Sequence, residues 1–403
     1  MRGRRVSGHD DSVRLPAAAG QSEVPGPDTG RAFSRRTALL GGASLAVGVM
    51  GLRDGQRATA AVSRVRPASL TPQQLAGQRV IFSFSGDTPP ASLLQQISAG
   101  EAAGVIILTQ NVNTTSQVSS AIQQLVSANQ ASPVASPLLI MTDQEGGEVR
   151  RLPGAPTMSE KQIGASSDPA AKAAQAGTGA GDNLAGVGLN VNLAPVLDVY
   201  RQPGDFDDQF QRSYSESPSV CGICGQDFIS AQQFTGVAAT AKHFPGLGAA
   251  TASQDTDSGP VTLNVSLSDL RNIDEVPYTY AISAGVMLVM CSWAVYPSLD
   301  ASLPAGLSPT VVGSELRGRL GFTGVTITDA LEAGALSAFG STSQRAVLAA
   351  TAGMDLLLCA SGSVSQGQTA VSALASAYQS GQLGQAAFNA SVQRVTALRN
   401  SLA

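Results

Sequence analysis

Eight short apolar runs between Val80 and Cys359, separated by segments of helical periodicity, constrain the fold of this chain more than any other feature. The runs are Val80–Phe84, Gly104–Leu108, Leu138–Thr142, Leu189–Ala194, Val237–Lys242, Val286–Cys291, Val325–Thr328 and Asp355–Cys359. Several are near-continuous in Val, Ile and Leu, as parallel strands buried on both faces require. Between them lie amphipathic segments such as Thr115–Asn129, with Val118, Ile122 and Leu125 at helical spacing, and Ser308–Leu320. Eight strands alternating with helices predict a single (β/α)8 barrel rather than a doubly wound sheet. No composition break divides the run, no internal repeat is visible, and only helical sequence follows the eighth strand. The expected domain therefore covers residues 61–403.

Residues 1–60 read as a leader. Ser34-Arg35-Arg36-Thr37 opens an apolar, Gly/Ala-rich stretch from Ala38 to Leu52, and Ala58-Thr59-Ala60 supplies a small-x-small cleavage site. This is the pattern of a twin-arginine export signal, preceded by a disordered Gly/Pro/Ser-rich segment. The alternative, a membrane anchor, needs about 20 apolar residues, and the stretch falls short of that. No cysteine follows it to carry a lipid. The leader holds nine of the 25 basic residues and five of the 29 acidic ones. Without it, 16 basic and 24 acidic residues remain, a net charge of −8. That balance argues against a nucleic-acid or anionic-membrane partner, which calls for clustered positive charge. An extracellular or cell-envelope location is expected, with no stable membrane insertion once the leader is removed.

Four cysteines are too few for a disulfide scaffold. Cys221 and Cys224 have C-x-x-C spacing but fall inside a predicted helix, Ser219 to Thr235, so packing is the expected role. A redox or metal role is the alternative, although few further ligands are available.

Three polar runs stand at the downstream ends of predicted strands: Thr142-Asp143-Gln144-Glu145-Gly146-Gly147, Lys242-His243-Phe244-Pro245-Gly246 and Thr326-Ile327-Thr328-Asp329. In a barrel, such strand ends converge on one pocket. A small polar ligand is the natural occupant. Gly146 and Gly147 are expected to permit a tight strand-to-helix turn.

Five segments, in order, resemble the signatures of glycoside hydrolase family 3. They are Leu138 to Pro153 (containing Asp143 and Arg151), Val187 to Val199 (containing Asp198), Gln211-Arg212-Ser213-Tyr214 to Pro218, Ala239 to Gly248 (containing Lys242 and His243), and Gly321 to Asp329. The Lys-His-Phe-Pro-Gly form is similar to the single-domain β-N-acetylglucosaminidase branch. The resemblance implies a cofactor-free, metal-free retaining β-glycosidase acting on a small saccharide or glycan fragment that bears terminal N-acetylglucosamine. For an exported protein, peptidoglycan fragments would be such a substrate. Asp329 would be the nucleophile, forming a covalent glycosyl-aspartate; the plainer reading is a helix N-cap. Asp143, Arg151, Arg212, Lys242 and His243 would hold the sugar's hydroxyls and its 2-substituent; the plainer reading for Lys242 and His243 is a buried ion-pair network beneath the barrel mouth. Trp293, the single tryptophan, follows a strand and either stacks on a sugar face or caps the barrel core.

The pattern breaks at the general acid. Related enzymes carry an Asp-Ser-His triplet after the lysine–histidine block; here the loop reads Gly248-Ala-Ala-Thr-Ala-Ser-Gln-Asp255-Thr256-Asp257. The chain has two histidines, His9 in the leader and His243 in the block, so none is left for that role. Three outcomes are open. Asp255 or Asp257 donates the proton, another carboxylate such as Glu216 or Glu332 reaches in, or the barrel binds sugar and cleaves it poorly. The last would make the chain a catalytically weakened carbohydrate-binding protein.

Overall fold

The computed structural model describes residues 70–402. The proposed leader lies outside the described residues. Among them, no helix is long and apolar enough to cross a membrane.

Eight parallel strands close into a barrel: β1 (Val80–Phe82), β2 (Gly104–Ile106), β3 (Leu139–Thr142), β4 (Val191–Asn192), β5 (Ala238–Phe244), β6 (Leu288–Cys291), β7 (Val325–Ala330) and β8 (Leu356–Leu358). Each strand pairs with its neighbours in sequence, and β1 closes against β8 with Ile81 opposite Leu358. This is the (β/α)8 architecture that the alternation predicts. The ladders are shorter than most of the apolar runs. β4 stops at Asn192 where the chain reaches Pro195, which has no N–H to donate. β5 runs two residues past the expected end at Lys242, so His243 and Phe244 lie within the strand rather than after it.

Strand alternation sorts the core into two layers. Ile81, Leu139, Met141, Val191, Leu288, Met290, Ile327 and Leu356 form one buried cluster inside the barrel. Phe82, Ile140, Ala239, Val289 and Leu357, one position away, belong to the outer cluster under the helices. The last helix, Gln385–Ser401, adds Val395 and Leu398 to the inner cluster. Arg399 of that helix donates to the carbonyls of Pro137 and Ser136, just before β3, so the helix plugs the end opposite the strands' C-termini. The interior is filled at that end and open at the other.

Helices Thr115–Gln130 and Pro218–Phe234 match the predicted segments within a residue or two. Cys221 and Cys224 are both fully buried on the second, packed with Ala173, Ala180 and Phe228. Burial pushes the Cys224 thiol up to about 12. Reactive thiols need the opposite shift and some exposure, so this pair serves packing.

Two antiparallel hairpins leave the barrel at its open end. One pairs Gln144–Gly146 with Val149–Arg150 and the other pairs Val295–Tyr296 with Asp300–Pro304. The first corrects the expectation for the diglycine. Gly146 (φ +123°) and Gly147 (φ +55°) turn a hairpin rather than leading into a helix. A Cβ on Gly146 would sit 2.3 Å from the Met158 carbonyl oxygen, so only glycine fits.

Candidate active site

The open end of the barrel holds a cavity of about 420 Å³, within the range of small-molecule sites. Its lining includes Asp143, Arg151, Arg212, Lys242, His243, Asp255, Asp257 and Asp329. Eight of the nine residues singled out from sequence thus meet in one place, although they span 187 positions of the chain (Asp143 to Asp329).

Trp293 is the exception. It is 1% exposed, and its indole N–H donates to the Ala330 carbonyl at 2.9 Å. Its ring packs so closely on Gly306 that a Cβ there would lie 2.6 Å away. Strand β6 ends one residue short of Ser292, and the following hairpin carries the indole under β7 instead of into the cavity. Trp293 therefore braces the backbone beside Asp329 and has no face free for a sugar.

A buried ion network forms one wall. Lys242 Nζ lies 2.8 Å from Asp143 Oδ1 and 2.8 Å from Glu145 Oε1. Arg212 grips Glu145 with two bonds of 2.8 and 2.9 Å and Asp207 with a third of 2.9 Å. Arg151 Nη2 stands 3.6 Å from Asp143 Oδ2. Burial alone would raise the Asp143 and Glu145 carboxyls, but Lys242 with Arg151 and Arg212 with Lys242, respectively, outweigh it and hold both below their ordinary values. Burial would likewise lower Lys242, and the two carboxylates raise it instead. Asp143, Glu145, Lys242 and Arg212 are therefore ionised at neutral pH. Most of Arg212's fork is spent on protein carboxylates, so it acts on a ligand chiefly by fixing Glu145. Lys242 and Arg151 keep donors for the cavity.

Glu145 was missed as a site residue, though its signal was available: Asp143 and Glu145 are two apart in an extended segment and share a face. Asp207 had no such signal. It comes from a loop helix, Phe206–Gln209, that no periodicity announces.

His243 Nδ1 lies 2.8 Å from Asp198 Oδ2, and Asp198 Oδ1 also accepts the Leu247 N–H at 2.6 Å. Burial first, then the Arg212 charge, lowers the imidazole to about 4, so it is neutral at pH 7. With a carboxylate on Nδ1 the proton resides there, leaving Nε2 as an acceptor. Burial pushes Asp207 up to about 7, against the pull of Arg212, and neighbouring Asp198 adds to the rise. A group raised on folding from 3.8 to about 7 stabilises the fold fully below pH ~4 and loses that contribution as pH climbs through 7. Asp207→Asn, which mimics the protonated form, should therefore flatten the fall in unfolding free energy between pH 4 and 7. Urea melts across that window check it; a slope identical to wild type contradicts the raised Asp207 carboxyl.

Asp329 closes β7 from a half-buried position, its Oδ1 accepting the Ala330 N–H at 2.7 Å. Burial raises its carboxyl, the His243 and Lys242 side oppose this, and Asp257 adds to it. The loop after β5 brings both aspartates to the same cavity. Asp255 is consumed by its own turn: Oδ1 accepts the Asp257 N–H at 2.9 Å and Oδ2 accepts the Ser258 hydroxyl at 2.5 Å. Among the described residues, Asp257's side chain has no partner of this kind. Burial and neighbouring Asp255 raise its carboxyl above the ordinary value. Glu332 also lines the cavity but accepts from Gln366 at 2.9 Å and from the Ala360 N–H at 3.2 Å. Glu216 does not line it.

The loop is docked on the segment that follows Asp329. Gly334 N–H donates to the Asp257 carbonyl at 2.8 Å and Ala335 N–H to the Thr256 carbonyl at 3.0 Å. A Cβ on Gly334 would meet the Ser258 oxygen at 2.5 Å. Gly334→Ala should displace the loop and lower turnover roughly 10²-fold, the order expected for an ångström of misplacement, while the melting temperature changes little. Steady-state kinetics beside a thermal melt test this; unchanged kcat would show that the loop's docking is irrelevant.

The site agrees with what the chain is similar to. The model of the glycosyl hydrolase family 3 N-terminal domain matches residues 74–398. An uncharacterized secreted glycosyl hydrolase of Arthroderma benhamiae is 47% identical over 81% of this chain and 93% of its own length. Beta-hexosaminidase A of Pseudoalteromonas piscicida is 29% identical over 85% of this chain, which spans only 63% of that relative. Among solved structures, a family 3 β-N-acetylglucosaminidase from a Paenibacillus species superposes with a TM-score of 0.78 at 33% identity, over 83% of this chain and 63% of that one. A β-N-acetylhexosaminidase from Beutenbergia cavernae gives 0.75 at 31% identity, over 82% of this chain and 99% of that one. A family match from the first helix to the last, on a barrel whose polar strand ends meet in one cavity, makes this chain a glycoside hydrolase that belongs to glycosyl hydrolase family 3.

Proposed function

We propose that the chain is an exported, retaining β-glycosidase that removes terminal β-linked N-acetylglucosamine, with Asp329 as nucleophile and Asp257 as general acid and base. The observation that carries this reading is that Asp329, at the end of β7, and Asp257, on the loop after β5, line one cavity together with a fixed ionic grip; burial raising both carboxyls supports it. Two carboxyls in distinct surroundings are what two-step glycoside hydrolysis uses.

In the first step Asp329, ionised, attacks C1 of the sugar, and protonated Asp257 gives its proton to the departing glycosidic oxygen. In the second, Asp257 takes a proton from water, whose oxygen attacks C1 and releases Asp329. Asp143 accepts from hydroxyls, Lys242 and Arg151 donate, and His243 Nε2 accepts one more. The names of the hexosaminidase relatives support N-acetylglucosamine, and the secreted relative supports export; the arginine-pair leader is what suggests the route.

The deciding assay supplies purified protein with 4-nitrophenyl β-N-acetylglucosaminide and 4-nitrophenyl β-glucoside. Faster release from the first, with the β-anomer formed initially by NMR, is the expected result. An α-anomer product would overturn the retaining mechanism. Sugar binding without release from either substrate would favour the second reading, a carbohydrate-binding barrel; the absent family histidine is what gives that reading its weight.

A further inference from the structure

We propose that Phe206 and Phe210 form an aromatic platform for a second sugar ring, on the aglycone side of the bond to be cleaved; this rests on the glycosidase reading above. Among the described residues, Phe206 is the only Phe, Tyr or Trp that lines the cavity. Its ring meets Phe210 edge to face, with centroids 5.7 Å apart, and Phe210 is 42% exposed at the rim. One ring thus faces into the cavity and the other extends the apolar surface outward.

The pair is held rather than mobile. Asp205 caps the turn by accepting the N–H groups of Arg201 and Gln202 at 2.9 and 2.7 Å. Buried Asp208 binds Lys161 and the Gly204 N–H, each at 2.7 Å. Gln211, directly after Phe210, occupies the left-handed region (φ +58°), uncommon for a residue with a Cβ. That bend separates Phe210 at the rim from Arg212 within the wall. Such strain persists only where surrounding bonds enforce it, here the Gln211 N–H to Asp208 carbonyl and the Lys161 N–H to Gln211 carbonyl.

Position identifies the occupant. The Phe206 N–H donates to the Ala250 carbonyl at 2.9 Å, and Gln209 Nε2 donates to the Ala252 carbonyl at 2.9 Å. The platform is therefore stapled to the loop that bears Asp257. A proton donor faces the glycosidic oxygen, so the group beyond that oxygen lies beside its loop. The charged wall at Asp143, Glu145 and Lys242 suits the hydroxyl-rich edges of one terminal sugar. An apolar face of aromatic carbon suits the C–H face of the next pyranose.

The test compares the β-linked N-acetylglucosamine disaccharide with methyl β-N-acetylglucosaminide, which lacks a second ring. In Phe210→Ala, and in Phe206→Leu, which keeps apolar bulk, the ratio of kcat/KM for disaccharide over methyl glycoside should fall roughly three- to tenfold. Phe210→Tyr should restore it. An unchanged ratio, including a parallel loss on both substrates, overturns the platform. If Phe206→Leu fails to fold, exposed Phe210 decides alone. A calorimetric arm uses Asp329→Ala protein with N-acetylglucosamine and the disaccharide: the affinity gained from the second ring should shrink by the same factor when Phe210→Ala is added. No gain in the Asp329→Ala parent overturns the platform. Absence of turnover by the wild type would instead overturn the glycosidase reading, leaving the binding arm to judge the platform.

Discussion

Asp329→Ala should lower kcat/KM for 4-nitrophenyl β-N-acetylglucosaminide by at least about 10³-fold, the order seen when a covalent nucleophile is removed. The reason is local. Asp329 is the only carboxyl at the end of β7, its backbone is braced by the Trp293 indole, and its Oδ1 is oriented by the Ala330 N–H. No neighbour can take its place: Glu332 is tied to Gln366 and the Ala360 N–H. Folding should survive, because removing a carboxyl whose burial is unfavourable relieves a desolvation cost. The check is a turnover assay beside a thermal melt. A variant that keeps more than a tenth of wild-type activity would remove Asp329 from the mechanism. An added small anion such as azide should enter the vacated space and yield the α-glycosyl azide, whose configuration is read by NMR.

Asp257→Ala should cost 10²- to 10⁴-fold on a disaccharide, whose leaving oxygen needs a proton, and much less on a 4-nitrophenyl glycoside, whose leaving group does not. Asp255→Ala should cost less on both, acting through the turn it caps. The pH profile separates their roles. In the proposed mechanism Asp257 is protonated in the first step, and burial beside Asp255 raises its carboxyl; Asp329 is ionised there, and burial raises it as well. Wild-type kcat/KM should therefore be bell-shaped, falling toward acid as Asp329 is protonated and toward alkali as Asp257 ionises. Asp257→Asn should lose the alkaline limb and keep the acid one. Equal effects of Asp257→Ala on both leaving groups, or an alkaline limb that persists in Asp257→Asn, would send the search to Glu332.

The barrel was legible because its signal repeats. A strand buried on both faces cannot hide its apolar run, and eight of them at barrel spacing leave few topologies. The site was legible to the extent that residues announce themselves at strand ends: Asp143, Lys242, His243 and Asp329 all do. Strand limits were read less well, since a ladder ends where a proline or a hydrogen-bond mismatch ends it, as at Pro195 beyond β4.

The loops were the hard part. Asp255 and Asp257 are equivalent in sequence, two acids in one polar stretch. Folding makes them different: the turn claims both oxygens of Asp255 and leaves Asp257 facing the cavity. Trp293 follows a strand as Asp329 ends one, yet a hairpin sends it into the core. Arg212 reads as a ligand-binding arginine until Glu145, 67 positions away, takes two of its bonds.

The sequence by itself determined that this chain closes a (β/α)8 barrel and places charged residues at one end of it. Both follow from periodicity and position along a strand, which are local properties. Only the tertiary structure decided which of those charges remain available to a ligand, because each polar group spends its bonds on whichever partner the fold brings near, and that partner is usually distant in the chain.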